Sequence, residues 1–253
     1  MALTQEVRDR LAPDAAEIIG RYPQPRSALL PLLHLVQAEE GYVTQDGIGY
    51  CAELLGLTEA EVTAVASFYT MYKHRPAGEY HVGVCTNSLC AVMGGDAIFA
   101  GLQQHLGIGN DETTSDGKVS LEHLECNAAC DYAPVVMVNW EFFDNMTPQS
   151  ARDLVDGLRS GAPGIQPTRG APRLCTWKQA SRILAGFPDG QATEEFQAQA
   201  RGGRGLGQAE RLGQRVLRRS GYRRISGLGH ARPALILGGA RQRGRAAQFL
   251  LSR

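Results

Sequence analysis

No stretch of this 253-residue chain approaches the ~20 consecutive apolar residues that a membrane-spanning helix needs. The longer apolar runs, such as Val135–Val138 and Ala234–Leu237, are strand-sized. Direct membrane insertion is therefore not expected, and any membrane association must come through partners. The opening residues MALTQEVRDR carry charges and no apolar h-region, which points to a cytosolic, reducing compartment. Disulfides are accordingly not the expected use of the six cysteines. The redox dithiol spacing Cys-x-x-Cys is absent as well. No Gly-x-Gly-x-x-Gly follows a strand, and there is neither a P-loop nor a nucleophile elbow, so hydride chemistry on a nicotinamide is not expected on this chain. Aromatic residues make up 7% and do not interleave with the basic residues near the C-terminus, which leaves nucleic-acid binding without support.

What is present is two tight cysteine pairs, Cys85-x4-Cys90 and Cys126-x3-Cys130. The first ends the strand-like run Tyr80–Val84 and is followed by Gly94-Gly95 and the helical stretch Asp96–Leu106. The second ends the run Val119–Leu124 and is followed by Ala133-Pro134 and Val135–Val138. Each pair thus sits on a loop where a strand ends, with a rigid element behind it. Such a placement gathers four thiolates around one small object. Structural zinc is the serious competitor for that object, since four cysteine ligands at x2 to x4 spacing are ordinary for it. An x4 opening also occurs in the plant-type 2Fe–2S pattern, but the remainder here does not follow that pattern. The residues alone favour iron and sulfide over zinc, and zinc over unliganded thiols.

The N-terminal third reads as short helices. Ala28–Val36 is apolar almost throughout, with Gly41 as a stop. Thr44–Leu55 is closed by Gly56, and Thr58-x-x-Glu61 opens a third helix with a capping box. Its stripe of Val62, Val65, Ala66 and Tyr69 has helical spacing. Phe68 and Tyr69 are expected in the core, Met71 and Tyr72 on a docking surface. Pro76-Ala77-Gly78 then breaks the pattern, and strands alternate with helices up to a closing helix at Thr147–Leu158. The expected fold class is α+β: a small helical bundle over residues 1–77, then a thioredoxin-like sheet domain over 78–160. Residues 161–189 read as an extended linker or docking segment.

The segments GVCTNSLCAVMGG and ECNAACDYAPVVMVN resemble the signature of the thioredoxin-like 2Fe–2S subunit of respiratory complex I, the NADH:quinone oxidoreductase. RSALLPLLHLVQAEEGYV and EVTAVASFYTMY resemble its N-terminal helical region, and the likeness runs from about residue 18 to about residue 189. The resemblance implies one 2Fe–2S cluster held by Cys85, Cys90, Cys126 and Cys130, with Cys85 and Cys90 on one iron and Cys126 and Cys130 on the other. It implies single-electron exchange with FMN on a neighbouring flavin- and NADH-binding subunit, so the flavin is not on this chain. Other peripheral-arm subunits are implied partners, and the implied location is cytoplasmic, at the inner face of the cell membrane through the complex. No complete active site is expected on this chain alone. Two alternatives stay open: a diaphorase subunit of an NAD-linked hydrogenase or formate dehydrogenase, and a zinc-stabilised binding module. Ala133-Pro134 is a position where thioredoxin-like domains tend to place a cis peptide.

The formal neutrality of the chain hides an asymmetry. From Gly190 onward there are thirteen Arg, no Lys and three Glu, a net +10, so residues 1–189 carry −10. The segment 190–253 reads as a basic, low-complexity tail, disordered or ordered by a partner, with Gln208–Arg219 as a possible amphipathic helix. Cys51 reads as a buried, inert thiol and Cys175 as structural or exposed. His81 and His123 lie near the cysteine pairs in sequence. A Rieske-type pair of histidines is disfavoured because four cysteines already complete a ligand set.

Overall fold

Threonine starts five of the helices, and in each case its hydroxyl accepts a backbone N–H of the first turn. The computed structural model describes residues 3–189. In chain order the elements are α1 (Gln5–Gly20), α2 (Leu29–Glu40), α3 (Gln45–Leu55), α4 (Glu59–Phe68), β1 (Tyr80–Cys85), α5 (Ser88–Val92) and α6 (Gly95–Leu106). They continue with β2 (Glu112–Thr113), β3 (Val119–Leu124), β4 (Val136–Val138), β5 (Glu141–Phe143), α7 (Pro148–Ser160) and α8 (Trp177–Leu184). Helices together with a mixed sheet make the chain α+β. The readings placed on residues 190–253 lie outside the described residues.

Helices α1 to α4 enclose one apolar core, with Ile18, Leu32, Leu33, Leu35, Val36, Cys51 and Val62 at its centre. Their ends follow the sequence signals. Gly41 and Gly56 take left-handed conformations after α2 and α3, and the Thr58–Glu61 capping box is formed in both directions.

The five strands lie in the order β2-β3-β1-β4-β5. β1 runs parallel to β3 and antiparallel to β4, and β2 and β5 pair antiparallel at the edges. Strand alternation sends Val82 and Val84 of β1 toward one face, where they join Ile98 and Leu102 of α6 and Leu154, Val155 and Leu158 of α7 in a second core. His81, Gly83 and Cys85 share the opposite face. Gly83 has no Cβ because Leu124 fills that space: a Cβ there would lie 2.2 Å from the leucine Cδ1.

Two expectations are corrected. Residues 161–189 are not extended throughout, since Trp177–Leu184 forms α8, opened by a capping box between Thr176 and Gln179. This helix straps the bundle to the sheet. The Trp177 indole N–H donates to the Gly41 carbonyl at 2.7 Å, and the Trp177 backbone N–H donates to Glu79 at 2.8 Å. The Gln37 amide, fully buried in α2, donates to Ser181 at 3.2 Å and to the Met71 carbonyl at 3.1 Å. The second correction concerns the aromatic run after α4. Phe68 is 78% exposed and Tyr69 42%, whereas Tyr72 is buried, with its hydroxyl donating to the Leu30 carbonyl at 2.9 Å. The helix ends at Phe68 and Tyr69 is already extended, so the helical stripe does not carry Tyr69 into the core.

Candidate functional site

The four site cysteines come together at one end of the sheet. Cys85 is the last residue of β1, and its N–H donates to the Val135 carbonyl at 3.0 Å. Cys90 lies in α5, one turn away, with its N–H on the Asn87 carbonyl at 3.0 Å. Cys126 follows β3 by two residues, and Cys130 opens a 3-10 turn, Cys130–Tyr132, that leads to the cis Ala133-Pro134 bond. The expected cis bond is thus present. Cys85 and Cys90 are buried, in an apolar cluster with Leu124, Ala129, Ala133, Val135 and Met137, while Cys126 and Cys130 are exposed.

The thiols interact as two pairs. Burial pushes the Cys90 thiol up to about 11, with a hydrogen bond and the like charge of Cys85 adding to it. The neighbouring Cys130 charge acts in the same direction, and the Val135 N–H opposes it. Cys130 is raised first by its hydrogen bond with Cys126, then by the Cys126 charge and by the more distant Cys85. Four thiolates this close repel one another, so a bound cation is what would make them ionise together. Among the described residues no three His, Cys, Asp or Glu side chains are gathered for a single metal ion. Two thiol pairs that feel each other's charge have the chemistry to supply the donors of a two-iron cluster.

The loop backbone fits sulfur as well. The Ala128 N–H donates to Cys126 Sγ at 3.4 Å, and Val135 N–H serves Cys90. Two non-glycine residues in the cysteine loops hold positive φ, Ser88 at 33° and Ala128 at 53°. Such conformations cost free energy and concentrate where a loop is shaped for a ligand. Gly95 lets α6 press against the first loop: a Cβ there would lie 2.5 Å from the Cys85 carbonyl oxygen. The side-chain amide nitrogen of Asn127 is buried with no partner, an unmet donor inside the Cys126–Cys130 loop. The residues present therefore fit an iron–sulfur cluster. Behind the second loop, Arg169 stacks over Tyr132 at 4.9 Å and Phe142 at 3.9 Å and bonds Asp144 at 3.2 Å.

The remaining singled-out residues lie elsewhere. His81 is buried between Trp140 and Trp177, with ring centroids at 5.4 and 5.1 Å, and its Nε2 meets Glu122 at 2.7 Å. Lys73 also bonds Glu122. Burial lowers the His81 pKa, partly opposed by the Glu122 hydrogen bond. His123 is exposed and touches Phe99 edge-on. Cys51 is fully buried in α3 and burial raises it to about 12, while half-buried Cys175 is raised to about 11 by burial and by Glu141. The sequence reading did not find Val135, the Asn127 amide or the Lys73–Glu122–His81 network. Only the last had a visible signal, the charged Glu122 one residue after the apolar Leu121 of β3.

A mixed sheet with α6 and α7 on one face and a four-thiol loop cluster at its end defines a thioredoxin-like iron–sulfur protein. The thioredoxin-like 2Fe-2S ferredoxin family matches residues 15–159, and the chain belongs to that family. The chain is 71% identical over 189 residues to an NADH-quinone oxidoreductase subunit of Mycobacterium bovis, covering 75% of this chain and 74% of that one. It is 40% identical over 148 residues to NADH-quinone oxidoreductase subunit 2 of Thermus thermophilus, covering 57% of this chain and 82% of that one. With an NADH-quinone oxidoreductase subunit of Rickettsia bellii it shares 39% identity over 149 residues, 58% of this chain and 89% of that one.

Proposed function

We propose that this chain is the iron–sulfur electron-transfer subunit of an NADH-quinone oxidoreductase, exchanging single electrons with FMN on a neighbouring flavoprotein subunit. The two neighbouring thiol pairs at one sheet end carry this reading, and the 71% identity to the Mycobacterium bovis protein supports its placement in that complex. In this reading Cys85 and Cys90 hold one iron of a 2Fe–2S cluster, and Cys126 and Cys130 hold the other. When bound, such a cluster takes or gives one electron at a time, which suits it to a flavin that splits a two-electron hydride. The chain's own residues hold and orient the group. Val135 and Ala128 N–H groups donate to thiolate sulfur, Leu124 and Met137 exclude water on the buried side, and the exposed Cys126 and Cys130 face outward. Residues 1–77 form the helical domain of this account, 78–160 the cluster-bearing domain, 161–189 the strap, and 190–253 a basic tail. Among the described residues no helix is long and apolar enough to cross a membrane, and the chain joins the cytoplasmic face through its partners.

Reduction by NADH tests the role. The purified chain, anaerobically prepared, stays oxidised when NADH alone is added, because it has no hydride acceptor. Addition of the flavin-bearing subunit gives the reduced-cluster EPR signal. Reduction by NADH without that subunit, or none with it, would overturn the reading.

A further inference from the structure

Each cysteine loop carries one asparagine, and the two differ in what their amides do. Asn87, between Cys85 and Cys90, donates to the Glu125 carboxylate at 3.5 Å, and its carbonyl oxygen accepts from the Ser88 hydroxyl at 2.8 Å. Asn127, between Cys126 and Cys130, has an amide nitrogen with no solvent exposure to speak of and no acceptor within the protein. Leaving a buried donor unpaired is costly, and this one lies inside a cysteine loop, which points to an acceptor supplied from outside the chain. The surroundings name its chemistry. The loop holds two thiols, its neighbour Ala128 already donates to Cys126 Sγ, and Ala128 is kept at a positive φ that shapes the turn around that sulfur.

We infer that the Asn127 side-chain amide donates a hydrogen bond to a sulfur of the bound iron–sulfur centre, and so raises its reduction potential. The inference rests on the cluster reading given above. An added electron makes the centre more negative and its sulfurs better acceptors. A donor aimed at sulfur therefore stabilises the reduced form more than the oxidised one. Asn127 is thus a direct ligand-tuning residue, whereas Asn87 is committed to joining the two loops through Glu125.

The test compares the full-length wild-type chain with Asn127→Leu, both prepared anaerobically. Iron and acid-labile sulfide are measured first, and the midpoint is then followed by EPR during a redox titration. The expected result is unchanged iron and sulfide content with a lower midpoint. At fixed potential the reduced-to-oxidised ratio falls about tenfold, equivalent to 59 mV for a one-electron couple. Full cluster content with an unchanged or higher midpoint overturns the inference. If Asn127→Leu fails to keep the centre, the wild type labelled with nitrogen-15 in its asparagine side chains decides the matter. A side-chain nitrogen coupled to the reduced centre, and still present in Asn87→Ala, supports the inference; no such coupling sinks it. A wild-type chain without iron and sulfide removes the cluster reading itself, a result distinct from a wild-type cluster whose midpoint ignores Asn127.

Discussion

The helical bundle and the loop end of the sheet use the same side chain in opposite ways. In the bundle, Cys51 is buried in the apolar core, and burial raises its thiol to about 12, which leaves it neutral and unreactive. At the sheet end, Cys126 and Cys130 are exposed, Cys85 and Cys90 lie just beneath them, and each pair shares a hydrogen bond. The backbones differ in the same sense. The bundle's non-glycine residues hold ordinary conformations, with glycine supplying the left-handed positions at Gly41 and Gly56, while the cysteine loops force Ser88 and Ala128 to positive φ. A region built for stability keeps its non-glycine backbone relaxed and its thiol in the core. A region built to hold a ligand accepts strained backbone and repelling thiols.

The largest effect expected from this contrast separates the two kinds of cysteine. Cys90→Ser should abolish the iron–sulfur visible absorption, whereas the Cys51→Ala, Cys175→Ala double variant should keep full iron and sulfide content. Cluster loss in the double variant, with circular dichroism unchanged, would erase the distinction. Next in size is Trp177→Ala in the strap, expected to cost about 3–5 kcal/mol in chemical denaturation, since Trp177 is buried and anchors α8 to both the bundle and the sheet. A loss below about 1 kcal/mol would mean that the strap holds little together.

A third prediction concerns pH. His34 is buried in the bundle, and desolvation lowers its pKa from 6.5 to about 4. Below pH 6.5 the unfolded chain takes up a proton that the folded chain refuses, so stability falls as pH drops from 6.5 to about 4, by about 3 kcal/mol in all. His81 is shifted in the same direction and adds to the slope, so the readout is the difference between the parent and His34→Leu. The variant should show the shallower pH dependence across that window, and equal slopes would contradict the burial argument. The smallest effect is Thr58→Ala, which removes half of a capping box on the bundle surface and should lower stability by about 1 kcal/mol without touching the iron content.

Much of this contrast could be read in the residues. Caps at Thr44, Thr58 and Thr147, stops at Gly41 and Gly56, and the β1 and β3 runs ahead of each cysteine pair all carry local signals. The strap was hidden because the Gly- and Pro-rich stretch after Ser160 outweighed the Thr176–Gln179 capping box that follows it. β2 is two residues long and is set by pairing with β3, a non-local cause. Tyr69 and Tyr72 exchange their expected places because a stripe counted along a helix says nothing once the helix has ended. At the site, the cysteine spacing and the Ala128 N–H on Cys126 were legible, but two further donors were not. Val135 N–H reaches Cys90 only through the β1–β4 pairing, and the burial of the Asn127 amide depends on the packing of both loops.

The most direct test of the central claim is metal and sulfide analysis of the full-length chain purified without oxygen. The account predicts two iron and two acid-labile sulfide per chain, with an EPR signal that appears on reduction. One zinc per chain and no sulfide would contradict it.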